Sequence, residues 1–237
     1  MREAPSYVPG HQLLAGKSVL ITAAAGAGIG FAAARKSAEE GCRALMISDI
    51  HPRRLEEAVA KLKAETGLES IWGQVCNVTN EEEVQALVAA AEEKLGGVDV
   101  LINNAGLGGE KRVTEMTDEE WSRVLDITLT GTFRMTRAML PHMEKRGRGA
   151  IVNNASVLGW RAQKGQAHYA AAKAGVMALT RCSALEAAEN GVRINAVSPS
   201  IALHDFLKKA SSAELLEQLA SREAFGRAAE VWEVANV

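Results

Sequence analysis

Tyr169 and Lys173 stand four residues apart in YAAAK, inside an alanine-rich stretch of helical character, so both side chains project from one face of a helix. An ammonium beside a phenol favours the phenolate and brings its pKa down from about 10, which makes tyrosine a usable acid or base near neutrality. The chain has two tyrosines, and the other, Tyr7, belongs to what reads as a flexible N-terminal arm. Ser156 precedes Tyr169 by 13 residues. A second cluster, Gly26, Gly28 and Gly30, is of the type that lets a pyrophosphate approach backbone N–H groups at a helix N-terminus. Ordinary strand-to-helix turns carry glycines too, so the cluster needs its context.

That context is a set of apolar runs alternating with helical stretches. Ser18 to Thr22 reads as a buried strand, and Ile29 to Glu40 as a helix stopped by Gly41. The glycines fall between them, as a dinucleotide turn requires. Arg43 to Ser48 is a second strand, followed by a helix from Pro52 toward Gly67. Ser70 to Val75 is a third strand, and Thr79 or Asn80 caps the helix that ends near Gly96. Val98 to Asn103 is the fourth strand. One long helix is expected from Asp118 toward His142, bent at Pro141. Ala150 to Asn154 is the fifth strand, Ala167 to Asn190 a long helix and Val192 to Ser198 the sixth strand. Ser156 then lies just past the fifth strand, at the carboxyl edge where such sheets bind ligands.

This order predicts an α/β fold, a single Rossmann-like, doubly wound parallel sheet with helices on both faces. Residues 1–13 read as an N-terminal arm and 14–237 as one dinucleotide-binding oxidoreductase domain. Within it, 200–225 shows no obvious strand, carries short amphipathic helices and reads as a substrate lid.

Asp49 ends the second strand 19 residues beyond Gly30, the offset of the acid that holds the adenosine ribose hydroxyls. The alternative is a turn residue, although His51, just before Pro52, is better placed to cap the next helix. An aspartate repels a 2′-phosphate, which favours NAD(H). Arg53 and Arg54 soften that charge and leave NADP(H) open.

Composition excludes other classes. With 237 residues, 47% hydrophobic and 24% charged, the chain has the means to bury a core. Lys plus Arg number 27 against 29 for Asp plus Glu, so no basic excess draws it to nucleic acid. No run of apolar residues reaches membrane-spanning length, the start lacks a signal-peptide core, and no metal-ligand spacing occurs. Cys42, Cys76 and Cys182 read as reduced residues of a cytoplasmic protein.

Five motifs in order resemble the short-chain dehydrogenase/reductase family from about Leu14 onward. They are the glycine turn, Asn103-Asn104-Ala105-Gly106, Ser156, the Tyr169/Lys173 pair and Asn195-Ala196-Val197-Ser198-Pro199. The resemblance implies that Tyr169 exchanges a proton with the substrate oxygen, that Ser156 hydrogen-bonds that oxygen, and that Lys173 holds the nicotinamide ribose and tunes Tyr169. Hydride then passes between the nicotinamide and the carbon bearing the oxygen. It implies cofactor contacts at Thr22, Gly26, Gly28, Ile29, Gly30, Asp49, Asn77, Val78, Asn104, Ala105, Gly106, Pro199 and Ile201.

There are departures. The family's first glycine falls on Ala24 and the turn is one residue longer after Thr22. The adenine-binding aspartate falls on Asn77, whose side-chain oxygen remains an acceptor. The fourth catalytic residue, an asparagine, falls on Thr128, which binds a relay water with one donor instead of two. His204 falls where a lid threonine often contacts cofactor, and is read as a substrate or cofactor contact, a solvated lid residue being the alternative.

The substrate mouth is expected between Ser156 and Tyr169, where Trp160 offers an apolar wall and Arg161 or Lys164 a partner for a carboxylate or a coenzyme A phosphate. Solvated loop charges are the alternative. The runs NNASVLGWRAQ and HYAAAKAGVMALTRCSA resemble more closely the bacterial dehydrogenases that act on hydroxylated indane propionates in steroid-ring degradation. A 3-oxoacyl carrier-protein or coenzyme A reductase is the neighbouring alternative, and a dinucleotide-binding sensor without turnover the one from another class. The family also implies a homotetramer or homodimer, and a further strand beyond the helix that begins around Glu230.

Overall fold

A computed structural model describes residues 3–204, 207 and 212–237. Six parallel strands, β1 (Ser18–Ile21), β2 (Ala44–Asp49), β3 (Ile71–Val75), β4 (Val100–Asn103), β5 (Gly149–Asn154) and β6 (Val192–Val197), form one sheet in the order β3-β2-β1-β4-β5-β6. The chain reverses direction across the sheet between β1 and β4, which opens a crevice at their carboxyl ends.

Alternation along β1 shows how both faces are covered. Val19 and Ile21 pack with Leu45, Ile47, Ala33, Leu55 and Leu62 under α1 (Ile29–Glu39) and α2 (Pro52–Thr66). Leu20 points the other way, with Met46, Leu101 and Ile151, into Val84, Leu87 and Ala91 of α3 (Glu81–Leu95) and Met135 and Met139 of the helix before β5. Strands buried on both faces are continuous apolar runs, which is why they were visible in the sequence. The α3 N-terminus is capped by Asn80, whose side chain accepts from Glu82 N and Glu83 N.

The expected single helix from Asp118 to His142 is three segments. After α4 (Asp118–Leu125) comes a π-helical stretch, Asp126–Thr130, and then α5 (Gly131–Lys145), which passes through Pro141 without a break. Gly131 N donates to Asp126 O, five residues back. A side chain at Gly131 would meet Val78 Cγ2 at 2.7 Å, so the wide turn is seated on a residue that the neighbouring loop leaves room for. Irregular turns of this kind concentrate at functional sites, and this one carries Thr128.

Two further expectations change. Within 200–225, Ala202–Leu203 is a short strand, β7, paired in parallel with β8 (Ala229–Glu230), and α7 (Ala213–Ser221) lies between them. Residues 205, 206 and 208–211 of the expected lid lie outside the described residues. The arm is docked, not loose: Tyr7 bonds Glu39 and stacks edge-on against Trp232 of α8 (Val231–Ala235) at 5.1 Å, and Lys36 Nζ donates to Val8 O at 2.9 Å. Its anchor is a buried pair, Lys36 and Glu40 at 3.0 Å, formed because the arm's carbonyls and amides satisfy both charges. Among the described residues no helix is long and apolar enough to cross a membrane.

Candidate active site

The glycine turn follows β1 directly. Thr22 is buried, and its Oγ1 accepts from Asn104 N at 3.0 Å and Ala105 N at 3.1 Å, so the Asn-Ala-Gly turn after β4 is fastened to the end of β1. The extra residue of the turn is accommodated by Ala23, which takes φ 52°, a left-handed conformation that costs a non-glycine residue about 1 kcal/mol. Gly28 precedes α1 with no side chain capping its amides, and a Cβ on Gly26 or Gly28 would meet nothing within 4 Å. Open space in front of uncapped amides at a helix N-terminus is the donor set that a diphosphate takes. Ile29 is the first residue of that helix.

Asp49 sits at the carboxyl end of β2, half-buried, with Oδ2 accepting from Ala25 N at 3.2 Å and Oδ1 from His51 N at 3.1 Å. Burial raises its pKa, against the opposing pull of the Ala25 amide and the Arg54 charge. His51 occupies the N-cap of α2 but makes no side-chain cap, so Asp49 organises this turn instead. Arg53 is paired with Glu57 at 2.9 Å. Asn77 departs from expectation: its side-chain oxygen accepts from Thr79 N at 3.1 Å and Thr79 Oγ1 at 2.9 Å, so the short side chain is spent on its own turn. Val78 beside it is buried.

The fold brings the chemical residues together. Lys173 is 3% exposed, its Nζ lies 5.6 Å from the centre of the Tyr169 ring, and it donates to the backbone carbonyl of Asn154. Gly106 packs close above it, a Cβ there falling 3.4 Å from Lys173 Nζ and 3.8 Å from Thr128 Oγ1. Thr128 is fully buried; its hydroxyl donates to Leu107 O at 3.1 Å and accepts from Leu107 N at 3.0 Å. That hydroxyl is committed to the loop. Ser156 is buried, its oxygen accepting from Leu158 N at 3.2 Å.

The electrostatics reverse one expectation. Burial, not the neighbouring cation, dominates Tyr169 and pushes its phenol above 10, and the Ser156 hydroxyl beside it pulls the other way. Burial also holds the Lys173 ammonium down at about 8. At neutral pH that amine is still an ammonium, but its charge does not offset what burial costs the phenolate. The site therefore presents a protonated, sequestered phenol suited to donating a proton.

On the substrate side, Trp160 is 73% exposed, with Nε1 3.4 Å from Ser198 Oγ. Arg161 is paired with Glu223 at 3.3 Å, and Ser200 Oγ donates to the same carboxylate oxygen at 2.6 Å. Arg161 therefore links the loop after β5 to the segment after α7 and is less available to a substrate anion than expected. Lys164 is exposed beside Arg112 on a hollow of about 400 Å³ between residues 112–113 and the stretch 162–170 that leads into the Tyr169 helix. Pro199 O accepts from Val157 N at 3.0 Å and Ile201 O from Ala229 N at 2.9 Å, which fastens the loop after β6 on both sides. His204 Nδ1 accepts from Leu207 N at 3.3 Å, a local turn contact.

Sequence reasoning passed over Glu223, 62 residues from Arg161, and Asn154, hidden as an ordinary strand end. Only the second carried a signal: an asparagine in a strand otherwise apolar on that side.

The model for short chain dehydrogenase matches residues 17–215. A Mycobacterium tuberculosis protein named (5R,7aS)-5-hydroxy-7a-methyl-1-oxo-2,3,5,6,7,7a-hexahydro-1H-indene-carboxyl-CoA reductase is 61% identical over 98% of this chain and 88% of its own. A Vibrio cholerae 3-oxoacyl-[acyl-carrier-protein] reductase is 37% identical over 94% of this chain and 88% of its own. Among solved structures, a short chain dehydrogenase from Mycobacterium smegmatis superposes with a TM-score of 0.87 at 56% identity, covering 99% of this chain and 88% of that one.

Proposed function

The chain belongs to the short-chain dehydrogenase/reductase family of nicotinamide-dependent oxidoreductases, and on that premise we propose that it reduces a ring ketone of a bicyclic hydroindane carboxylate carried as a coenzyme A thioester, using NAD(H). The observation that carries the reading is the convergence of Ser156, Tyr169 and Lys173 at the carboxyl edge of the sheet, with Lys173 Nζ 5.6 Å from the centre of the Tyr169 ring and the Ser156 hydroxyl beside the phenol.

The residues present fit a dinucleotide: open amides at Gly26 and Gly28, and a carboxylate at the end of β2. Asp49 would hold the adenosine ribose hydroxyls, the first turn of α1 the diphosphate, and Lys173 the second ribose. The bound nicotinamide supplies the hydride. Tyr169 then delivers its proton to the carbonyl oxygen while Ser156 donates a hydrogen bond to that oxygen, stabilising charge as it develops. Lys173, its Nζ 5.6 Å from the ring centre, sits beside the tyrosinate that this step leaves and would be the donor from which a proton relay, resupplied by solvent, restores the phenol. Thr128 holds the loop of Leu107 over this relay.

NAD(H) is favoured because Asp49 keeps its carboxylate fixed by two backbone amides while Arg53 is occupied by Glu57. The exposed Trp160, Val113 and Phe225 supply apolar surface around the mouth for a hydrocarbon ring system. Exposed Phe133 on α5 and Leu185 on α6 (Ala167–Ala188) suit pairing of copies into a homodimer or homotetramer.

The test follows oxidation of reduced nicotinamide with NADH and NADPH over hydroindanone thioesters and acetoacetyl thioesters. Turnover of the ring ketone, lost in Tyr169→Phe by 10²–10⁴-fold or more, is expected. Preference for the acetoacetyl thioester moves the protein to the fatty-acyl reading, and binding without turnover moves it to a sensor.

A further inference from the structure

Asn104 donates through Nδ2 to two carbonyls of the glycine turn, Thr22 O at 3.2 Å and Ala23 O at 2.9 Å. Carbonyls only accept, so this amide has one orientation, with Oδ1 turned away from the turn. Oδ1 accepts from Asn154 Nδ2 at 3.0 Å. That contact fixes the second amide in its turn: Asn154 must present its NH2 to Asn104, which leaves its own Oδ1 on the opposite side, buried and without a donor among the described residues. The backbone carbonyl of the same residue receives Lys173 Nζ.

A continuous line of hydrogen bonds thus runs from the turn that faces the dinucleotide, through Asn104 and Asn154, to the lysine beneath the reacting phenol. We propose that Asn154 is a positioning residue: its side chain reads the placement of the glycine turn through Asn104, and its carbonyl sets the place of the Lys173 ammonium. Occupancy of the cofactor turn and the proton relay are thereby coupled.

Energetics argue against a purely structural role. A buried acceptor with no donor costs about 1–3 kcal/mol, which the bond to Asn104, worth about 1 kcal/mol, offsets only in part; an apolar residue of equal size would avoid the first and forgo the second. A leucine there would still offer its backbone carbonyl to Lys173, held by the pairing of β5 within the sheet, but the side-chain link from that residue to the glycine turn would be gone. The lysine is sensitive to the placement of this acceptor because it is almost fully buried and already close to losing its proton.

The inference rests on the dinucleotide reading, and its test separates the two. Asn154→Leu is compared with the parent for dinucleotide affinity, read by titrating protein fluorescence without substrate, for the pH dependence of kcat/KM, and for Tm. Affinity is expected to weaken about fivefold, the scale of one hydrogen bond. The pH limb belonging to Lys173 is expected to move to lower pH, since a less well placed acceptor favours the ammonium less. Tm is expected to hold or rise. Asn154→Ala, which removes the amide without filling its place, covers the case in which leucine does not fit. The proposal is overturned if affinity or the pH limb keeps its parental value, or if Tm falls alongside them in both variants. A parent that binds neither NAD(H) nor NADP(H) removes the dinucleotide reading as well; a parent that binds, with variants unchanged, removes Asn154's role alone.

Discussion

A side-chain carbon on Gly30 would lie 2.5 Å from Nδ2 of Asn104 and 2.6 Å from Ala23 O, so α1 begins in direct contact with the amide that joins β4 to β1. The other two glycines of the cluster face open space. The three residues therefore serve different ends. Gly30→Ala is expected to destabilise the fold by about 1–3 kcal/mol, the scale of overpacking against atoms that cannot retreat. Gly28→Ala should leave Tm near the parent's and weaken dinucleotide binding, because its methyl intrudes only where the ligand lies. Denaturant melts and binding titrations on the two variants check this; equal Tm losses would refute the division of labour.

Much of this arrangement was legible because strands buried on both faces are apolar runs and because Ser156, Tyr169 and Lys173 keep fixed spacings on rigid elements. The glycines were legible as a motif but not in their separate roles, which depend on Asn104, 74 residues away from Gly30. The π-helical stretch at Asp126–Thr130 was not legible, since the residues DITLT have no helical pattern that marks the wider turn, and the close seat of Gly131 on Val78 where it ends is a contact between residues 53 apart. The pairing of β7 with β8 was lost because two-residue strands carry no period. The reversal at Tyr169 was lost because spacing shows proximity and says nothing of burial.

Lys173 makes the site costly. Its folded-state value of about 8 lies below the 10.5 of a free lysine, so between those values the unfolded chain binds more protons than the folded one, and stability rises with pH across that window. Below pH 8 the full cost of burying the ammonium is present, on the order of 3 kcal/mol. Lys173→Met is therefore expected to raise Tm at pH 7, by an amount that shrinks between pH 8 and 10, while removing most activity. Thermal melts across that range check the sign, and a destabilised variant at pH 7 would contradict it.

Asp49 is expected to set the choice of dinucleotide. Asp49→Ser removes the charge that a 2′-phosphate meets while leaving Arg54, whose charge already acts on this position, free to receive that phosphate. The ratio of kcat/KM for NADPH over NADH should rise about tenfold or more, equivalent to 1.4 kcal/mol. Parallel initial-rate measurements with both cofactors decide it; an unchanged ratio places specificity elsewhere.

Glu40 holds the arm. Its Oε2 accepts from His11 N at 2.7 Å and Leu13 N at 3.0 Å, and Oε1 lies 3.0 Å from Lys36 Nζ. The Leu13 amide is the largest influence lowering its carboxyl to about 2, with burial opposing and the His11 amide and Lys36 assisting. The folded carboxyl is more acidic than the 4.5 of a free glutamate, so this stability is fully present above pH 4.5 and is lost as pH falls toward 2. Glu40→Gln keeps the shape but replaces a charged acceptor of two amides with a neutral one and leaves Lys36 buried without its counter-ion. A loss of about 2 kcal/mol at pH 7 is expected, the scale of charge-assisted hydrogen bonds. The variant should also show a shallower fall in stability between pH 5 and pH 3 than the parent. Denaturant melts at those pH values measure both, and because Trp232 stacks on Tyr7 of the same arm, its fluorescence reports arm release directly. Parallel stability curves for parent and variant across that range would mean that the arm's amides, and not the carboxylate, hold the arm in place.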